Sequence, residues 1–114
     1  MSNTEENTRK DKIRELNDQL RTTCFGGRII LTSGVLAQGQ ETARQVLTLV
    51  KNYSDFSEDN DPYGEHDFGS ITHNNIKYFW KIDYYDLEYK MHSPDATNPL
   101  VTNRVLTLFL AGEY

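Results

Sequence analysis

The chain has 114 residues, a formal net charge of −5 and 37% hydrophobic residues. This length suits one domain of ordinary size, which can bury a core without disulfides or a structural metal. The negative charge argues against direct binding of duplex DNA, because proteins that bind duplexes present a basic face to the phosphates. Two interpretations of the charge stay open, a basic protein partner and simple solubility.

The amino terminus and the apolar content bear on location. Residues 1–10 hold no large apolar side chain after Met1, which predicts a flexible tail followed by one domain over residues 11–114. No run approaches the roughly 18 apolar residues of a membrane span, and no secretion signal begins the chain. The single cysteine, Cys24, cannot form an internal disulfide. We therefore expect a cytoplasmic protein without membrane contact.

Two helices and one strand are predicted in the first half of the chain. Apolar residues recur at helical spacing over residues 8–22, which predicts an amphipathic helix with a solvated charged face. Residues 28–33, RIILTS, are rich in β-branched side chains and predict a strand that is buried on both faces. A second amphipathic helix is predicted over residues 40–52.

A β-hairpin is predicted in the second half. The pair Asn74-Asn75 suits the positive φ angles of a type I′ turn, and strands over residues 66–73 and 76–86 flank it. A two-residue turn places Gly69 opposite Trp80, which leaves space for the indole ring. Alternation assigns to the core face the residues Ile71, Ile76, Tyr78, Trp80 and Ile82.

The last predicted element is a helix over residues 99–111. Asn98 suits the cap position, Pro99 suits the first helical position, and the following residues are broadly apolar. The element order is then α-β-α-β-β-α. It predicts an α+β fold in which a small, mostly antiparallel sheet packs with three helices.

The candidate catalytic residues are Glu65, His66 and Asp83. The predicted register places His66 directly across the hairpin from Asp83, so that a hydrogen bond between them would orient a general base or a metal ligand. The alternative is a structural bond at the open end of the hairpin. We favour the structural alternative, because no nucleophile accompanies the pair.

No metal or cofactor site is predicted. Asp59, Asn60 and Asp61, followed by Gly64, loosely resemble a calcium loop, but Pro62 interrupts the ligand positions. The histidines lack zinc spacing, and the chain contains neither a phosphate-binding loop nor a dinucleotide-binding turn. We therefore expect no cofactor.

A partner-binding surface is predicted where the acidic loop over residues 53–65 meets the outer face of the hairpin. Its candidate residues are Asp59, Asp61, Glu65, Phe68, Phe79 and Tyr85. Aromatic side chains, tyrosine above all, are enriched at interaction hot spots. They also stack on nucleotide bases, with Lys77 and Lys81 near the phosphates, although the acidic surroundings disfavour that use. Structural packing is the third alternative.

Five blocks of sequence occur in an order that resembles a known family. They are IRELNDQLRTT, GGRIILTSGV, DNDPYGEHDFG, FWKIDYYD and TNRVLTLFLAGEY, and they span most of residues 13–114. In these blocks the chain resembles a family of small bacterial proteins that is catalogued as a domain of unknown function. Members occur largely in proteobacteria, often on plasmids or other mobile elements. The resemblance implies an accessory protein of mobile DNA that blunts a host defence system, and it implies no activity.

Three hypotheses for the function follow. The preferred one is a non-enzymatic interaction protein, in one version an inhibitor of a nucleic-acid-handling defence complex, because acidic proteins can occupy basic channels. The second is a small metal-dependent enzyme that uses Glu65, His66 and Asp83. The third is a homodimer in which the hairpin edge pairs with its mate.

Overall fold

The computed structural model describes residues 2–114, with side chains from residue 5 onward. The chain forms an α+β domain in which one layer of helices packs on a four-stranded sheet. The helices are α1 (Ser2–Thr23), α2 (Ser33–Leu36) and α3 (Gln40–Lys51). The strands are β1 (Arg28–Leu31), β2 (Phe68–His73), β3 (Ile76–Tyr85) and β4 (Asn103–Leu110), and a 3-10 turn (Ala111–Glu113) follows.

The sheet is mixed, with the strand order β1-β4-β3-β2. Strand β4 lies between β1, to which it is parallel, and β3, to which it is antiparallel. Strands β2 and β3 form the antiparallel hairpin. The prediction of a mostly antiparallel sheet is therefore right in part, whereas the predicted element order is wrong.

The largest correction concerns the helix predicted over residues 99–111. The Asn98 side chain does cap locally, because its Oδ1 accepts the N–H of Leu100 at 2.9 Å, but the turn ends there and β4 begins at Asn103. As a central strand, β4 is largely buried on both faces, and most of its residues are apolar. A continuous apolar run of this kind has no period-2 signal that would distinguish it from a buried helix.

The position of the hairpin turn and the register of the pairs from Phe68–Lys81 to His73–Ile76 agree with the prediction, whereas the predicted pairing of His66 with Asp83 does not form. Asn74 and Asn75 have φ angles of 52° and 66°, as a type I′ turn requires. Gly69 pairs with Trp80. The predicted strand bounds are too long, because β2 begins at Phe68 and β3 ends at Tyr85.

Two further bounds differ from the prediction. Helix α1 begins at Ser2 rather than at residue 8, while the flexibility expected for residues 1–10 stays a prediction. Strand β1 ends at Leu31 instead of residue 33, because Thr32 takes the cap position of the short helix α2. Its hydroxyl accepts the N–H of Val35 at 3.4 Å.

The main core lies between the helices and one face of the sheet. Each helix contributes to it, and Trp80 and Leu106 are the central side chains from the sheet. The fully buried apolar members are Leu20, Val35, Val46, Val50, Tyr78, Trp80, Leu106 and Leu108. Within residues 2–114, no helix is long and apolar enough to cross a membrane.

Candidate functional site

His66 lies against the helical layer and not in the hairpin. Its φ angle of 55° turns the chain away from the strand direction just before β2. Its Nδ1 lies 2.8 Å from Oδ1 of Asp18 on α1, and its ring stacks on Phe56 at a centroid distance of 3.7 Å. Its backbone N–H donates to the carboxylate of Asp61 at 3.2 Å. These contacts hold the loop before β2 onto α1.

The predicted pair of His66 and Asp83 does not form. Asp83 lies on the face of the sheet opposite the helices. There it is the register partner of Val105 on β4 and forms an ion pair with Lys81 at 3.4 Å. The hairpin ladder ends at Phe68 because the left-handed backbone at His66 breaks the alternation. The predicted register therefore does not extend to His66, which lies two residues before β2.

Glu65 belongs to a buried polar network. Its Oε1 accepts the hydroxyl of Tyr84 at 3.0 Å, and its backbone oxygen accepts the amide Nδ2 of Asn17 at 3.0 Å. The same amide donates to the Tyr84 hydroxyl at 2.8 Å, and Arg104 Nε donates to Asn17 Oδ1 at 2.7 Å. The network joins α1, the acidic loop, β3 and β4.

The ionisation of this network follows from its burial. Burial raises the pKa of the Tyr84 hydroxyl and lowers the pKa of the Arg104 guanidinium. Arg104 also donates to the backbone oxygen of Ala96 and lies over the Tyr84 ring at 5.1 Å. With their polar atoms engaged inside the protein, these groups stabilise the fold.

Sequence reasoning missed Asn17 and Arg104. Each is a polar residue in an otherwise apolar position, Asn17 within the predicted helical stripe and Arg104 within the run VTNRVLTLFL. Both are essentially fully buried. An interruption of an apolar pattern was the available signal, since buried polar groups need partners.

The acidic loop divides into a structural part and an exposed part. The Asp61 side chain is 5% exposed and accepts the His66 backbone N–H, while Glu65 is engaged in the network. Asp59 is exposed and forms no hydrogen bond or ion pair within the part of the chain that the structure describes. In that same part, no group of three or more His, Cys, Asp or Glu side chains could hold a metal ion.

Within residues 2–114, no α-helix covers the second face of the sheet, which we call the uncovered face; the 3-10 turn and Tyr114 lie against one end of it. The uncovered face carries three of the predicted partner-binding residues, Phe68, Phe79 and Tyr85. Asp61 and Glu65 do not lie on it, so the predicted partner-binding set does not form one surface. Phe79 pairs with Phe109 across β3 and β4, with ring centroids 5.8 Å apart, and Phe68 lies 5.3 Å from Phe79. The Tyr114 ring lies 6.0 Å from Phe109.

These rings form a small cluster apart from the main core. Phe109 is 6% exposed and Val105 is 4% exposed, yet neither belongs to the core beneath the helices. Their burial comes from neighbours on the uncovered face itself. Phe68 and Phe79 are half-buried there, so the uncovered face presents a small apolar surface that rests on the buried Phe109.

Cations lie over aromatic rings on this side of the sheet, some of them over rings of the cluster. Lys77 lies over Phe79 at 5.3 Å, and Arg28 lies over Tyr89 at 5.0 Å. Neither has a carboxylate within ion-pair distance among the described residues. Lys81 pairs only with Asp83 of its own strand. The uncovered face thus carries three cations, Arg28, Lys77 and Lys81, together with the acids Asp83 and Glu113.

An open groove of about 750 Å³ lies on the uncovered face beside the start of α2. Its volume falls within the range of about 300–1,000 Å³ that is usual for ligand pockets. The lining residues come from the sheet, from the start of α2 and from the carboxyl-terminal turn. They are Thr32, Ser33, Phe68, Lys81, Thr107, Phe109, Glu113 and Tyr114.

Fold and site together define a small α+β domain with one helical layer and an uncovered, aromatic sheet face. The family described as "Protein of unknown function (DUF3768)" matches residues 31–113, which is more than half of the chain. The chain therefore belongs to this family, and the resemblance to a domain of unknown function is confirmed. No curated protein and no solved structure matches the chain.

Proposed function

We propose that the protein is a non-enzymatic interaction module that binds another protein through the uncovered face of its sheet. The observation that carries the proposal is the pair of half-buried rings of Phe68 and Phe79, which pack on the buried Phe109 on the face that no α-helix covers. Aromatic side chains that are fixed before binding give affinity at a low cost in conformational entropy.

The charges of this face favour an acidic partner. Arg28 and Lys77 each lie over an aromatic ring and form no ion pair within the described residues, so their charges are available to carboxylates of a second protein. Complementary charges accelerate association and select among partners. The negative net charge of −5 comes from acids on other surfaces, which keep the protein soluble and repel wrongly oriented acidic partners.

A second candidate is the inhibitor of a nucleic-acid-handling defence complex in a mobile-element setting. The exposed acids Asp55, Glu58 and Asp59 support it, since they would fit a basic channel. Proteobacterial origin, plasmid context and a cytoplasmic location stay predictions. Charge reversal at Asp61 or Glu65 is not a clean test of this candidate, because both side chains hold the fold.

Site-specific photocrosslinking in producing cells tests the proposal. A photoreactive phenylalanine replaces Ser70, which is exposed on β2 and pairs with Phe79, and in a control it replaces Lys12, which is exposed on α1. We expect a single crosslinked protein from position 70 and none from position 12. The variant Lys77→Glu should weaken capture, whereas Lys12→Glu should not.

Three other outcomes of this experiment would each favour a different alternative or overturn the proposal. Capture that depends on Asp55, Glu58 and Asp59 but not on Lys77 overturns binding through the uncovered face and favours the inhibitor. A crosslink between two copies of the chain identifies the homodimer. Capture indifferent to all of these residues overturns the interaction module itself.

A further inference from the structure

Strand β1 forms one edge of the sheet, and its outer side is unpaired. Its inner side bonds to β4, and this ladder continues to the N–H of Thr32, which donates to the backbone oxygen of Leu108 at 3.1 Å. Backbone groups alternate in direction along a strand, so the N–H and C=O groups of Ile29 and Leu31 point away from β4. Neither N–H has an acceptor among the described residues. An unpaired edge of this kind is a template for a further strand.

The residues of this edge match themselves under a two-fold axis. Arg28, Ile30 and Thr32 alternate with the core-facing residues and lie on the uncovered face. When Ile30 faces Ile30 of a second, antiparallel copy, Arg28 faces Thr32 of that copy. In the same register, Ile29 exchanges backbone hydrogen bonds with Leu31 of the second copy, so that both outward N–H groups of each β1 gain an acceptor.

Charge complementarity favours a second copy as the occupant of this edge. The Glu113 carboxylate accepts the Thr32 hydroxyl at 2.6 Å and forms no ion pair among the described residues. Arg28 likewise has no carboxylate within ion-pair distance in that part of the chain. Because Arg28 faces Thr32 of the other copy, its guanidinium comes beside the Glu113 carboxylate of that copy. The two-fold axis makes this contact twice, so the edge carries both charges that it needs.

Apolar side chains at both ends of β1 fit the same pairing. Phe25 precedes the strand and is 69% exposed, while Leu36 follows it on α2 and is 59% exposed. Antiparallel pairing brings the start of one β1 to the end of the other, and thus brings Phe25 toward Leu36 of the second copy. At the axis, the exposed Ile30 packs on its own counterpart.

We infer that two copies of the chain associate through their β1 edges into one continuous sheet, with Ile30 on the two-fold axis. The inference stands apart from the proposed function, because Phe68 and Phe79 lie on the two strands farthest from β1. Pairing through the hairpin edge, β2, would be a different homodimer, because β2 is the opposite edge of the sheet. In the β1 dimer Arg28 pairs between the copies, which leaves Lys77 as the cation for an acidic partner.

Disulfide trapping tests the register of the dimer. In a Cys24→Ser background, which removes the exposed native thiol, Ile30→Cys places two thiols opposite each other at the axis. Opposed Cβ atoms of antiparallel strands lie about 4.5–5.5 Å apart, within reach of a disulfide after a small adjustment. The controls are Leu49→Cys, which is similarly exposed on α3, and Ser70→Cys on β2. Under mild oxidation we expect a covalent dimer from position 30 and monomers from positions 49 and 70.

Sedimentation equilibrium measures the association of the unsubstituted chain and needs no variant to fold. We expect twice the mass of one chain as the concentration rises, with slower amide exchange at Ile29 and Leu31. Arg28→Glu sets a like charge against Glu113 of the other copy at both ends, and should weaken the dimer at least about tenfold. Lys12→Glu, with the same change of charge on α1, should leave the dimer unchanged.

Three outcomes overturn the inference. They are a chain that stays monomeric at every concentration, a dimer that is trapped at position 70 and not at position 30, and a dimer that Arg28→Glu does not weaken. None of them touches the proposed function, which fails only if partner capture ignores the uncovered face. A dimer that is trapped at position 30 and weakened by Arg28→Glu supports the pairing of β1 with its counterpart.

Discussion

Gly69 lies directly opposite Trp80 on the neighbouring strand, and the indole ring fills the space that a side chain at position 69 would take. A Cβ atom at Gly69 would lie 2.7 Å from Cε2 of Trp80, well inside van der Waals contact. Trp80 is fully buried and packs edge-on against Tyr53 at a centroid distance of 5.5 Å. The buried ring is therefore held between the Gly69 backbone and the Tyr53 ring.

Gly69→Ala should consequently destabilise the protein by about 1–3 kcal/mol, the usual cost of overpacking a core. Urea unfolding followed by the fluorescence of Trp80, the only tryptophan, measures the change. Gly112→Ala is the matched control, because a Cβ at Gly112 meets no atom within 4 Å. Equal stability of the two variants would contradict the packing argument.

The hairpin was predictable because local signals agree with its tertiary packing. Asn74 and Asn75 tolerate positive φ angles, and the apolar face requires the same register as the turn. Strand β4 was not predictable in this way. Its pairing with β1 is parallel and joins residues far apart in the chain, so no local pattern encodes it.

The candidate site was less predictable than the fold. The left-handed backbone at His66 removes it from the strand, and no residue pattern announces a positive φ angle at a histidine. The aromatic residues Phe68 and Phe79 were assigned correctly to the outer face of the hairpin. Their neighbour Phe109 was not, because it was assigned to a helix.

Asn17→Ala should cost at least about 2 kcal/mol of stability, because it leaves the Nε of Arg104 and the backbone oxygen of Glu65 unpaired in the interior. Asn7→Ala, at an exposed position of the same helix, should change stability by no more than about 0.5 kcal/mol. Chemical denaturation of both variants provides the comparison. A small effect at Asn17 would mean that the network does not stabilise the fold.

Asp67→Asn should stabilise the protein at neutral pH. Burial, and then the Glu65 carboxylate, raise the pKa of Asp67 above its ordinary value of 3.8, so the folded state holds this proton more tightly than the unfolded state. The charged carboxylate therefore costs stability above the raised pKa. As the pH falls through that pKa and below 3.8, the advantage of the variant should disappear. Melting temperatures of both proteins across this range test the sign, and a gap independent of pH would refute it.

Glu113→Gln should have the opposite pH dependence. The hydroxyl of Thr32, and then the backbone N–H of Leu110, lower the pKa of Glu113 below its ordinary value of 4.5. The ionised carboxylate therefore contributes stability above pH 4.5, and that contribution is lost as the pH falls through the lowered pKa. The variant should melt below the unsubstituted protein at neutral pH and together with it in acid. Thr32→Val removes the main donor and also the cap of α2, so it should add to a weaker form of this pH dependence a loss of stability that persists in acid. A melting difference that persists unchanged in acid would show that the Glu113 charge does not hold the turn on the uncovered face.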